Sequence, residues 1–179
     1  GIGASREMMF ASLAEPAMIM IVFTVALVAG TTQLSEVADF VFTHASLRVS
    51  LALALVALII VALAENTRIP VDNPATHLEL TMVHEAMLLE YSGRHLAVIE
   101  LATSLKLVLY VSLIACMFAP WGLAQAGSEP AAYAIGVLSY LGKLAVGGFL
   151  LVLFETSIAK MRVFRVPDFL GAALMLGLL

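Results

Sequence analysis

The residues of this chain that could do chemistry are ionisable side chains set inside long apolar runs. Glu15 stands about two helical turns into the first run and Glu100 about one turn into a later one. Lys106 lies near the middle of that same run, Lys143 near the middle of the next, and Glu155 at its edge. A charge at the centre of a bilayer costs at least ~2.5 kcal/mol on insertion scales, so such groups are paired or line a wet path. Between these runs, the segment from Glu65 to His95 holds the largest group of the remaining charges: Glu65, Arg68, Asp72, Glu79, Glu85, Glu90 and Arg94. Glu15, Glu100, Lys106, Lys143 and Glu155 together with Glu65, Glu79, Glu85 and Glu90 could form a chain of protonatable groups from one membrane face to mid-membrane.

Those groups must be positioned by membrane helices. The 179 residues are 62% hydrophobic and only 12% charged, against roughly a quarter charged in soluble domains. The runs Met8 to Gly30, Leu96 to Ala119 and Ala131 to Phe154 each exceed the ~20 residues that cross ~30 Å of hydrocarbon as a helix. Shorter runs cover Leu47 to Ala64 and Phe169 onward. The expected fold is therefore all-α, a polytopic transmembrane bundle of about five spans with a long loop between the second and third. Arg6, Arg68, Arg94, Lys160, Arg162 and Arg165 fall on one side and Arg48 on the other. By the positive-inside bias the Glu65 to His95 loop is cytoplasmic, and Thr31 to Ser46 and Pro120 to Pro130 face outward. Residues 1–179 form one integral membrane domain, expected to be a fragment lacking elements at both ends, with residues 65–95 as its docking and coupling loop.

Inside that loop Pro70 and Pro74 stop the preceding helix from simply continuing. The spacing of His77, Leu80, His84, Met87 and Tyr91 predicts a short helix over Thr76 to Tyr91, ending at Ser92-Gly93, where glycine can take a left-handed conformation. Glu100 and Lys106 are six positions apart, about 120° around a helix, so each needs a partner on another helix. Thr103, Lys106 and Tyr110 share a face, which argues for a cavity or a neighbouring helix there. Lys143 shares a face with Ser139 and Gly147, small residues that let helices approach closely, so packing and transport are both open roles for it.

Other chemistries find no support. His77 and His84 lie seven apart beside Glu85, without the His-Glu-x-x-His or Glu-x-x-His spacing of a helical metal site, so no metal is expected. No serine or cysteine is paired with a base, no glycine-rich phosphate loop occurs, and no catalytic residue is assigned. Cys116, the single cysteine, is read as a small core residue; alone it makes no internal disulfide and ligates no iron–sulfur cluster. The net charge of −4 is small and scattered and argues against a nucleic-acid partner. Trp121 beside Pro120 fits an aromatic interface anchor.

The run Ala64-Glu65-Asn66-Thr67-Arg68-Ile69-Pro70-Val71-Asp72, followed by Pro74, Glu79 and Glu90-Tyr91-Ser92-Gly93, resembles the signature of the respiratory complex I subunit 1 family. Gly3-Ala4-Ser5-Arg6 with Glu15 is similar to that family's early arginine-plus-glutamate helix. The segment from Asp72 to Glu85 resembles the hydrogenase branch of the family, formate hydrogenlyase subunit 4 and the group 4 membrane-bound NiFe hydrogenases. It departs from the quinone-reducing branch, in which an acidic residue typically follows the second proline and the path to Glu-Tyr-Ser-Gly is shorter.

The resemblance implies a non-catalytic, multi-pass subunit of the cytoplasmic (inner) membrane within an oxidoreductase complex. It would anchor the hydrogenase large and small (iron–sulfur) subunits on the cytoplasmic side and couple their redox chemistry to ion movement through antiporter-like membrane subunits. The nickel–iron and iron–sulfur centres would sit in those partners, with no cofactor on this chain. Arg6, Arg68, Pro70, Asp72, Pro74, Tyr91, Ser92 and Gly93 would shape and dock the loop. The alternative is the membrane subunit of a proton-pumping NADH:quinone oxidoreductase, in which the same loop would floor a quinone chamber.

Overall fold

The computed structural model describes residues 2–43, 49–66, 91–122, 130–157 and 166–178, with the backbone alone at 2–7, 10, 166 and 167. The described residues are helical with short turns and carry no strand: α1 (Ile2–Ala29), α2 (Leu34–Thr43), α3 (Val49–Glu65), α4 (Arg94–Phe118), α5 (Pro130–Ser157) and α6 (Val166–Leu178). Three stretches are long and apolar enough to cross a membrane: Ala11–Ala29 of α1, α4 and α5. The expected second and last spans are shorter apolar helices. At 17 and 13 residues, α3 and α6 run about 25 and 20 Å, short of a ~30 Å hydrocarbon layer. The span count of five therefore does not follow from helix length.

Helix α1 continues through Pro16, whose missing amide removes one rung of its ladder. Bilayer helices tolerate this where neighbours hold the chain, and Ala14 and Ala17 on either side are both buried. The helix closes at Gly30, whose φ of 74° suits glycine and whose amide donates to the Ala26 carbonyl at 2.7 Å. Helix α2 follows, inside the stretch read from sequence as an outward connection. Its start is capped by Thr31, which accepts the Gln33 amide at 3.2 Å and donates to the Glu36 carboxylate at 2.5 Å. Val37 and Ala38 turn inward.

Helices α1, α3 and α6 pack against one another, and α4 and α5 form a separate hairpin joined to them through α2 and α3. The core is built largely from small and branched side chains: Ala14, Ala17, Ile21 and Val25 of α1, Ala54, Ala57, Leu58 and Val61 of α3, Leu170 and Ala173 of α6. Lipid is as apolar as leucine, so close backbone approach rather than solvent exclusion holds such helices together. Gly177 marks a close approach of α6 to α1. A Cβ there would lie 3.3 Å from Ile21 Cγ1, and its carbonyl accepts a hydrogen bond from Thr24. No polar or charged side chain is buried among the described residues.

Candidate functional site

The site begins where α3 ends. Glu65 is the last residue of α3, and its carboxylate meets the Lys106 ammonium at 2.5 Å. Glu65 is 16% exposed and Lys106 43%. Asn66 follows, its side-chain amide donating to the Ala62 carbonyl at 2.7 Å and so occupying one of the acceptors that a helix end leaves open. Leu58 of α3 lines the same space as Leu113 and Met117 of α4, so the two helices run antiparallel, with Glu65 level with Lys106.

This register sets the level of the pair along α4. Lys106 lies twelve residues from Arg94 and twelve from Phe118, the two ends of α4, or about 18 Å from each. Helix α3 thus ends level with the midpoint of α4, a helix of membrane-spanning length. The chain returns to α4 through Tyr91 and Ser92, with Gly93 immediately before the helix at φ 59° and ψ −130°, a conformation suited to glycine. Its ψ differs from that of the left-handed cap expected from sequence, and it stands at the start of α4; the helix it was expected to end lies outside the described residues. Tyr91 is exposed.

The two lysines are held differently. Lys143 donates at 2.5 Å to the carbonyl of Ala119, the residue that ends α4. A cation there faces the negative end of the helix dipole and satisfies a terminal carbonyl. Ser139, one turn earlier on α5, donates to the carbonyls of Gly122 and Gly136, each at 2.8 Å. Ser112 and Tyr140 share a hydrogen bond at 2.6 Å, and Gly147 lies so close to α4 that a Cβ would sit 2.6 Å from Val111 Cγ1. The face of Ser139, Lys143 and Gly147 read from spacing is therefore the seam of the α4–α5 hairpin.

The remaining candidates are dispersed. Glu15 is exposed on α1. Glu100 is exposed on α4, and its backbone carbonyl accepts the hydroxyls of Thr103 and Ser104 at 2.8 and 2.9 Å. Glu155 is half-buried near the end of α5. Arg6 lies in α1, its side chain outside the described part. Glu79, Glu85, Glu90, Arg68, Pro70, Asp72 and Pro74, the expected helix over Thr76 to Tyr91 apart from Tyr91 itself, and His77 and His84 lie outside the described residues. Sequence reasoning missed Ser112, Tyr140 and the capping role of Asn66. A hydroxyl at mid-span on each of two successive helices was the available signal for the first two.

A cavity of about 80 Å³ opens between α1, α2, α3 and α4, lined by Ile21, Val25, Leu58, Leu113 and Met117, with Thr31 and Thr32 among its few polar residues. It falls well below the ~300–1,000 Å³ of ordinary ligand pockets, which also carry convergent polar groups.

The sequence profile described as NADH dehydrogenase matches residues 1–179. This chain belongs to the NADH dehydrogenase family, whose type is complex I subunit 1. Over 170 residues, 93% of the chain, it is 34% identical to formate hydrogenlyase subunit 4 of Escherichia coli (strain K12). It is also 34% identical, over 125 residues or 70% of the chain, to hydrogenase-4 component C of the same organism. The matched stretches span 53% and 39% of those relatives, so the chain covers about half the length of the first. Family membership and three membrane-length apolar helices make this member of the NADH dehydrogenase family a membrane protein.

Proposed function

We propose that the chain is the membrane-anchor and coupling subunit of a group 4 NiFe hydrogenase complex of the formate hydrogenlyase kind. The similarity to two hydrogenase-complex components, one of them over 93% of the chain, carries the assignment. The Glu65–Lys106 pair, placed at the midpoint of α4 where the family motif begins, supports the coupling part. On this reading, residues 65–95 dock beneath the cytoplasmic hydrogenase and iron–sulfur subunits at the inner membrane. Electron transfer or proton uptake there changes the charge on Glu65, Glu79, Glu85 and Glu90. In a low-dielectric setting that change shifts proton occupancy toward Glu15 and Glu100 and on to antiporter-like subunits.

Two experiments test the proposal. Gentle-detergent purification with mass spectrometry should recover a NiFe large subunit and small iron–sulfur subunits without stoichiometric quinone. The family match also accommodates a quinone-site subunit of an NADH dehydrogenase, and recovery of NADH-oxidising subunits with retained quinone would replace the hydrogenase reading with that one. In membrane vesicles, Glu65→Gln should lower ion translocation per electron while hydrogenase turnover with a soluble dye persists. Unchanged translocation in that variant would remove the basis for coupling through the motif.

A further inference from the structure

We infer that the two intramembrane lysines are divided in role: Lys106 is a positioning residue that pins the Glu65 carboxylate at the start of the motif, while Lys143 belongs to the α4–α5 hairpin. The inference rests on the proposed coupling function and adds to it which cation acts with the motif.

The packing separates the two roles. Helix α3 is already held by α1 and α6 through Ala54, Ala57, Leu58 and Val61, all buried. The fold does not need an ion pair to keep α3 in place, and well-packed apolar replacements of buried ion pairs commonly leave stability unchanged or improved. What the pair does fix is the Glu65 carboxylate, 2.5 Å from Lys106 and level with the middle of α4. A carboxylate free to choose among rotamers at that level would present no fixed point to the residues that follow it. Lys143 has the opposite setting. No residue of α5 is buried, and Ser139, Tyr140 and Lys143 hydrogen-bond to α4 and the turn after it. Its ammonium is directed at the end of α4 and serves the hairpin.

The test uses the full-length protein in its assembled complex in sealed membrane vesicles, measuring ions moved per electron, dye-linked hydrogenase turnover and the thermal stability of the solubilised complex. Lys106→Met should lower the ion-to-electron ratio about tenfold with dye-linked turnover intact, because it strands a carboxylate that the pair had held. Lys106→Arg should restore the ratio to within about twofold, since the guanidinium keeps the charge and a planar donor fork. Lys143→Met should lower thermal stability and leave the ratio unchanged. Where Lys106→Met fails to assemble, Lys106→Gln, which keeps a neutral donor toward the carboxylate, takes its place and should lower the ratio in the same way. A normal ratio in Lys106→Met or Lys106→Gln, with Glu65→Gln uncoupled, overturns the inference and leaves the proposed function standing. A normal ratio in Glu65→Gln overturns both.

Discussion

The three-helix cluster of α1, α3 and α6 and the hairpin of α4 and α5 solve the same problem by different means. In the cluster, alanines and a glycine let backbones approach until apolar side chains interlock, and no described polar side chain is buried. In the hairpin, packing is sparse and one seam of α5 is tied to α4 and its terminal turn by Ser139, Tyr140 and Lys143. The difference teaches where charge can be placed. The cluster excludes it, so the Glu65–Lys106 pair lies at the boundary between cluster and hairpin, where α3 ends against α4.

The largest expected effect tests whether the cluster depends on close approach. Gly177→Leu adds a branched side chain where even a Cβ would be 3.3 Å from Ile21 Cγ1 and 3.5 Å from the Ile21 backbone nitrogen. Ala57→Leu does the same at a site with no exposed surface. Overpacking of this kind costs about 1–3 kcal/mol, and each variant should stand toward the upper end. Chemical unfolding in detergent micelles, followed by loss of helicity, measures it. Wild-type stability in both variants would show the cluster to be looser than its small residues indicate.

Much of this arrangement was legible in the chain because membrane helices announce themselves by apolar length. The runs from Met8, Leu96 and Ala131 became α1, α4 and α5 within a few residues, α1 reaching back to Ile2. The seam of Ser139, Lys143 and Gly147 was legible because helical spacing places those residues on one face. Helix α2 was not, because at ten residues it is too short to stand out by apolar length, and its start is set by Thr31 and Glu36. Nor was the partner of Lys106. Spacing showed that it needed one on another helix, but Glu65 is forty-one positions away, and register between helices is a property of packing that no local pattern encodes. That α3 ends level with the middle of α4 was hidden for the same reason.

A smaller effect separates glycine as a packing device from glycine as a loose link in the hairpin. Gly147→Ala places a Cβ 2.6 Å from Val111 Cγ1, a methyl that sits too near its own backbone to swing clear. The helix itself gains up to about 1 kcal/mol when alanine replaces glycine, so the strain must exceed that gain for the variant to be destabilised. A net loss of about 1 kcal/mol is expected. Val111→Ala should abolish it, making Val111→Ala/Gly147→Ala at least as stable as Val111→Ala alone. If the alanine at 147 is stabilising by itself, the two helices do not meet as tightly at this level as the seam requires.

The smallest effect concerns the hydroxyl pair Ser112 and Tyr140, 2.6 Å apart and partly buried. In water such a bond would compete with solvent. In a bilayer the alternative is an unmet donor, which would make it strong if the unfolded helices could find nothing else. Measured couplings between membrane helices average only about 0.6 kcal/mol, because hydroxyls in the separated helices turn back to their own backbone carbonyls. Ser112 and Tyr140 differ in that respect: a serine has a carbonyl one turn away, whereas a phenol oxygen cannot reach its own backbone. The double-mutant cycle of Ser112→Ala and Tyr140→Phe should therefore give a coupling above that average and below about 1.7 kcal/mol, the upper end of measured cases. It should also be asymmetric. Ser112→Ala strands the phenol and should cost more than Tyr140→Phe, after which Ser112 can bond to its own helix. Equal costs with no coupling would mean that packing at Gly147 and the bonds of Ser139 and Lys143 hold the hairpin without the hydroxyl pair.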